Sequence, residues 1–398
     1  MKRRQFVAAL ALLPLAAMPA HADENFVAFI QTLWPGAKAA GITRKTFDRA
    51  FAGVTEPDPV ALKLANNQPE LTATTSAYLS KAVTQARIDA AKEMKASMGD
   101  KLKAFEDRYQ VDRHILLAIW GMESNFGKDK GSMSVMRSLA TLAYSGNRKD
   151  YAREQIIAAL KMLQMGVISL ENFTGSWAGA MGHTQFIPTS YLASAVDWTG
   201  DGKKDIWNSS SDALASTANY LAKAGWKSDR PWGWEIKLPK DFDRSLIGRD
   251  HWKKVGEWVR LGIVRADGNK FPNPNVDAFV MVPQGVSGPR FLVTQNFLAI
   301  MDYNFSHSYA LAVGHLADRI RGGGPFLASW PEISYDLSAK QRVELQKRLN
   351  AKGFDTGGDD GRFGARTYEA IIAYQKRAGL PLDGVPSVAL LERLKSGG

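Results

Sequence analysis

From residue 24 to about residue 225, apolar residues keep returning every three or four positions, and after Trp226 that rhythm breaks. A repeat near 3.6 buries one face of a helix and suits no strand. Ile115, Leu116, Ile119 and Met122 recur this way just ahead of Glu123. Residues 151–165 repeat it with Ile156, Ile157, Leu160 and Leu163, and residues 211–224 do so again. Residues 88–109 are rich in Ala, Lys, Glu and Met, all good helix formers. The stretch 226–300 carries Pro231, Pro239, Pro272, Pro274, Pro283 and Pro289. Its runs Phe279-Val280-Met281-Val282 and Phe291-Leu292-Val293-Thr294 flank a turn with Gly285, Ser287 and Gly288, which predicts a hairpin. Helix resumes near Tyr309 and continues through Ala312, Leu316 and Ile320. The expected fold class is mainly α, an α+β core with a small β-containing insert at about 226–300.

Composition and punctuation divide the rest of the 398 residues. Lys2, Arg3 and Arg4, an apolar stretch over residues 6–18 and Ala20-His21-Ala22 read as a signal peptide covering 1–22, cut after about Ala22. A short buried helix is the alternative there, and Arg3-Arg4 leaves the general and twin-arginine export routes both open. Gly322-Gly323-Gly324-Pro325 opens a segment of linker composition, 322–335. A compact tail, 336–398, follows. Ser338 with Gln341 forms a capping box, Val343, Leu345 and Leu349 an apolar face, and helices are expected at 367–378 and 388–395. That is a three-helix module. No other run approaches the roughly 18 apolar residues of a membrane span, so no membrane anchor is expected.

Charge and residue inventory exclude several chemistries. The formal net charge is +11 (51 − 40), or +8 once the three cations of the leader are gone (48 − 40). A basic exported protein suits an acidic polymer as partner, and in a Gram-negative periplasm nucleic acid is a poor candidate. The chain has no cysteine, so disulfides, thiolate metal sites and thiol nucleophiles are excluded. Its six histidines show no HExxH spacing, which argues against a zinc amidase or peptidase.

Two segments carry candidate chemistry. Glu123 lies in Trp120-Gly121-Met122-Glu123-Ser124-Asn125-Phe126-Gly127, where a mostly apolar helix ends on a carboxylic acid and Gly127 can supply a left-handed cap. Burial against Trp120, Met122 and Phe126 would raise its pKa, as a general acid near neutral pH requires. A solvated glutamate at a helix end is the plainer alternative. The second segment runs from Ser176 to Tyr191 and begins Ser176-Trp177-Ala178-Gly179-Ala180-Met181-Gly182. Small residues there allow close backbone approach. Ser176 and Gln185 offer neutral hydrogen bonds, and Trp177, Phe186 and Tyr191 offer apolar faces, a mixture suited to a sugar. Tight helix packing through the small residues is the alternative.

Together with Tyr303-Asn304-Phe305-Ser306-His307-Ser308-Tyr309-Ala310, these segments resemble the lytic murein transglycosylase B family over roughly residues 25–321. The tail resembles the peptidoglycan-binding module of many cell-wall enzymes, through Gly353-Phe354, Asp360-Gly361, Gly364, Thr367, Tyr374-Gln375 and Asp383-Gly384. The family resemblance implies that Glu123 is the single catalytic acid. It places Ser176, Gln185 and Phe186 against the glycan near the cleaved bond, and Tyr220, Asn304 and Tyr309 along the same groove. It sets Arg148 opposite glycan or peptide carboxylates, where a plain solvated cation is an equal reading. It also flags residues 197–208 as an EF-hand-like loop, with Asp197, Thr199, Asp201 and Asp205 at the ligand positions, Gly202 at position 6 and Asn208 in place of the final acid. Weak calcium binding or none is expected, and no cofactor is required.

The resemblance implies a periplasmic enzyme that cleaves the MurNAc–GlcNAc β-1,4 bond of peptidoglycan without water, leaving 1,6-anhydroMurNAc ends. Ordinary glycosidases pair the acid with a second carboxylate. Here Glu123 alone would act as acid and then as base. Glycan strands are the expected partner, other cell-wall enzymes a further one, and a monomer is expected. A lysozyme-like hydrolase of the same bond and a non-catalytic wall-binding scaffold are the alternatives.

Overall fold

The computed structural model describes residues 23–66, 74–145, 149–331, 336–361 and 363–396. The leader and Arg148 lie outside the described residues. Two adjacent helical cores make up most of the molecule. One gathers Phe26, Phe47, Val135, Leu139, Ile156, Leu160, Met181 and Phe186. The other is built on the helices Arg113–Ser124 and His307–Arg321, with Leu214, Leu221 and Phe297 packed around them. Tyr220 and Tyr303 pack against both.

The helix ending at Glu123 and Ser124 is mostly apolar, as expected, and buried to match. His114 through Gly121 are all buried, so it runs through the core instead of lying on it. The helix-forming stretch 88–109 is two helices, Gln85–Ser97 and Gly99–Tyr109, divided at Met98 where glycine follows. The other predicted helices fall at Lys149–Gln164 and Ser210–Lys223.

A two-stranded ribbon pairs β1 (Met133–Ser134) with β2 (Thr174–Gly175). The insert holds a five-stranded antiparallel sheet of β3 (Gly233–Lys237), β4 (Lys253–Lys254), β5 (Val264–Arg265), β6 (Asp277–Met281) and β7 (Arg290–Thr294), in the order β4-β6-β7-β3-β5. The expected hairpin is β6–β7, with Met281 opposite Phe291 and Ala278 opposite Thr294. Both faces of this sheet are buried, which explains why its central strands are continuously apolar. Phe279, Met281, Phe291 and Val293 point into the helical core. Ala278, Val280 and Leu292, one residue out of phase, pack with Trp258, Val255 and Ile247.

The tail is a three-helix module, Ala339–Ala351, Ala365–Arg377 and Val388–Lys395, closed over Leu345, Leu349, Ile371, Tyr374, Leu391 and Leu394. Its motif residues hold its own turns together. Gln375 donates to Asp383 at 2.6 Å and accepts from the Gly384 N–H at 3.0 Å. Gln346 accepts from the Gly361 N–H at 2.6 Å. The module is docked as well as joined: Tyr368 and Ile372 complete the second face of the sheet. The connecting segment is seated too. Phe326 stacks on His315 with ring centroids 3.8 Å apart, and the Leu327 and Ala328 N–H groups donate to the Glu235 carboxylate at 2.8 and 2.7 Å.

Candidate active site

Glu123 projects from the last turn of its helix into the seam between the two cores. The cap is Asn125 (φ 49°, ψ 50°), with Phe126 (φ 60°) and Gly127 (φ 84°) also left-handed. The expected glycine cap is therefore two residues too late. Asparagine tolerates this region better than most residues, and Phe126 is held there by its contacts. The payoff of the strained turn is local: Phe126 folds back edge-on to Trp120, with centroids 5.6 Å apart, and closes over the acid's helix. Burial pushes the Glu123 carboxyl up to about 7. The Tyr309 hydroxyl donates to its Oε1 at 2.6 Å and pulls the other way. No second carboxylate acts on it among the described residues.

Three separate sequence segments meet here as a closed triangle of hydrogen bonds. The first meets the third through Tyr309 and Glu123. The first meets the second through His183: Trp120 Nε1 donates to His183 Nδ1 at 3.1 Å, and the Ser124 hydroxyl donates to the His183 carbonyl. The second meets the third where the Tyr303 hydroxyl donates to the Thr184 carbonyl. Desolvation, with Lys130 nearby, pushes His183 down to about 4, so the ring stays neutral and can accept the indole N–H. Gly127 admits that ring: a Cβ there would stand 2.3 Å from the imidazole.

The remaining predicted residues divide by position. Ser176 Oγ accepts from the Ala178 and Ala180 N–H groups at 3.3 and 3.1 Å, which leaves its hydroxyl proton for a ligand. Gln185, at φ 53°, donates Nε2 to the carbonyls of Lys130 and Gly182, which leaves its amide oxygen as acceptor. Asn304 is exposed at the end of the Gln295–Tyr303 helix. Tyr220 is half-buried and donates to the Asp302 carbonyl at 2.7 Å. Phe186 departs from expectation. It is only 2% exposed and lies beneath Tyr220 and Tyr303, 5.9 Å from each ring, so it supports the wall and offers no face to a sugar. Tyr309 is equally buried, and its part is to hold the acid. Sequence reasoning missed His183 and Tyr303. Both lie inside the quoted segments, but their partners are 59 to 119 residues away.

The loop at 197–208 gathers the carboxylates of Asp197 and Asp201 with that of Asp212, a buried residue outside the loop, and not with that of Asp205. Asp205 is turned inward, accepting from the backbone of Trp207 and Asn208 at 3.0 and 2.9 Å. Thr199 donates its hydroxyl to Asp197. Three carboxylates suit a hard cation such as calcium, and Asn208 can add at most one oxygen where an EF-hand has two.

A helical core that shelters a carboxylic acid among hydrogen-bonding and aromatic side chains is the arrangement of the lysozyme-like fold class. The match is more particular than that. Residues 25–318 match the Transglycosylase SLT domain, and the chain belongs to that family; residues 338–394 match a putative peptidoglycan binding domain. Over 218 residues it is 29% identical to membrane-bound lytic murein transglycosylase B of Escherichia coli, which covers 53% of this chain. The chain spans 58% of that relative's length. It is similar, at 47% identity and TM-score 0.83, to SltB3 from Pseudomonas aeruginosa in complex with NAG-anhNAM-pentapeptide, covering 93% of this chain and 99% of the other. It is also similar to the Escherichia coli lytic transglycosylase Slt35 in complex with calcium, at 25% identity and TM-score 0.59, covering 75% of this chain and 93% of the other.

Proposed function

We propose that this chain is a periplasmic lytic transglycosylase that cleaves the MurNAc–GlcNAc β-1,4 bond of peptidoglycan and leaves 1,6-anhydroMurNAc ends. The observation that carries this reading is the Glu123 carboxyl, held by the Tyr309 hydroxyl at 2.6 Å, raised by desolvation to about 7 and with no second carboxylate acting on it among the described residues. At neutral pH it is present in both protonation states, as one group serving as acid and then as base needs. Glu123 first gives its proton to the glycosidic oxygen as the C1–O bond breaks. The positive charge at C1 is met by the N-acetyl oxygen of MurNAc itself. Glu123, now ionised and held by Tyr309, takes the proton of the C6 hydroxyl, whose oxygen closes onto C1. The proton count balances and no water is consumed. Ser176 and Gln185 fix the sugar from the second segment, and Asn304 from the third.

No step passes through a metal or cofactor. Calcium, bound to one similar protein, would sit in this chain at Asp197, Asp201 and Asp212 and brace the loop beside the Ser210–Lys223 helix. The leader directs export, and no described helix is long and apolar enough to cross a membrane. The C-terminal module adds a second hold on the insoluble polymer. Mass analysis of the sugar ends released from purified murein tests the reading. Anhydro ends from the parent, with product formation by Glu123→Gln reduced at least ~10³-fold, are expected. Reducing ends would make the enzyme a hydrolase, and undiminished digestion by Glu123→Gln would remove the assignment of the acid.

A further inference from the structure

The docked module and the sheet border a partly open cavity of about 320 Å³ on the far side of the sheet from the helical core. Gly248, Arg249 and His251 form one wall, and Phe354, Arg366 and Glu369 the other. Glu369 Oε1 is buried there without a hydrogen-bond partner. The nearby cations of the module are already engaged: Arg366 pairs with Asp355 at 3.0 Å, and Lys376 donates to the Ser245 hydroxyl at 2.9 Å. No ion pair or side-chain hydrogen bond engages the Arg249 guanidinium among the described residues. The cavity borders the third active-site segment, because Arg366 also lies over the exposed ring of Phe305, 6.0 Å from its centroid, one residue after Asn304.

Glu369 accepts the Arg249 backbone N–H, but its Oε1 and the Arg249 guanidinium remain unpaired, and an open acceptor beside an open cation defines a ligand with both charges. A bare anion would leave Glu369 facing like charge. Around the cavity Arg249, Arg366 and Lys376 face Asp250, Asp355 and Glu369, a balance that a bare cation would upset as much as a bare anion. We propose that this junction is a second substrate site, for the α-amino-acid head at the free end of a peptidoglycan stem peptide. Its carboxylate pairs with Arg249, and the ammonium on the same carbon donates to Glu369. Glycan strands carry no ammonium, so within this polymer the chemistry selects the peptide. The volume lies at the low end for ligand pockets and suits one such head. Burial pushes the empty Glu369 carboxyl up to about 7, with Arg249 and Arg366 opposing and Asp250 reinforcing the shift; an incoming ammonium favours the ionised form. Because each domain contributes a wall, an occupied site also favours the docked arrangement. The proposal rests on the transglycosylase reading for the identity of the polymer.

Calorimetric titration of the full-length chain with the tripeptide Ala-γ-Glu-diaminopimelate tests it. This probe has no glycosidic bond and is not turned over. Binding is expected, weakened at least ~10-fold when the amine at the free side-chain end of diaminopimelate is acetylated or the carboxylate on the same carbon amidated, and unchanged when the Ala α-amine is acetylated. Arg249→Ala and Glu369→Gln should each lose at least ~10-fold, and Arg249→Lys should recover part of the loss. Absence of binding at millimolar peptide, or equal affinity in parent and variants, would overturn the proposal. Murein digestion measured in parallel separates the two readings. If anhydro ends still form while the peptide does not bind, only the junction site falls. If neither is seen, the assigned function falls with it.

Discussion

Glu123 and Tyr309 set the chemistry at the scale of single residues. The hydroxyl stabilises the ionised carboxylate, so Tyr309→Phe should raise the Glu123 pKa above about 7 and move the alkaline limb of the pH–rate profile upward. A hydrogen bond to a charged group contributes about 1.5–3 kcal/mol, so turnover at neutral pH should fall roughly 10- to 100-fold. An unshifted profile would mean that the hydroxyl does not act on the acid. The same burial links stability to pH. The folded-state pKa, about 7, lies above the ordinary 4.5, so the stability this group contributes is full below about 4.5 and is lost as pH rises through about 7. Glu123→Gln removes the buried charge. Its melting temperature should match the parent's near pH 5 and exceed it by about 2 °C or more at pH 8.

At the scale of elements, the site is a junction of three chain segments, and its precision depends on how they are tied. His183 is the tie between the acid's helix and the second segment. His183→Leu leaves the buried Trp120 indole N–H without an acceptor and should destabilise the fold by about 1–3 kcal/mol, read in chemical denaturation. His183→Asn, which keeps an acceptor near the Nδ1 position, should recover most of that. Gly127→Ala is a sharper test. It adds a methyl group at φ 84° and 2.3 Å from the imidazole, so strain and overpacking together should cost about 3 kcal/mol or more. Thermal melting and turnover should fall together; a variant as stable as the parent would show that the turn can relax.

Across the whole molecule, the sheet is the joint. One face lies on the helical core and the other receives Tyr368 and Ile372 of the C-terminal module, so the two domains share a buried apolar contact. Ile372→Lys places a charge in that contact, while the module's own core of Leu345, Ile371 and Leu391 is untouched. Small-angle scattering should show a larger radius of gyration for this variant with both folds retained, and an unchanged radius would mean that docking does not depend on this contact. A docked module holds substrate at a fixed distance from Glu123, whereas a module on a free tether would only raise local concentration.

The helices, the hairpin, the acid and its apolar neighbours were legible because each is a local pattern: a period, a turn signal, a carboxylate set in an oily run. The Arg113–Ser124 helix was legible as mostly apolar, but its burial on every side depends on what surrounds it, not on its spacing. Phe186 looked like a sugar platform because composition cannot tell a residue lining a groove from one supporting it. The segment after residue 321 has the composition of a linker, and composition does not show that Phe326 and the Glu235 carboxylate seat part of it. The sequence alone determined which side chains were available and where along the chain they stood. Only the tertiary structure decided that Tyr309 reaches the Glu123 carboxyl and that Trp120, His183, Thr184 and Tyr303 tie the three segments together beside it, because hydrogen bonds and desolvation act through space, across separations the local pattern does not encode.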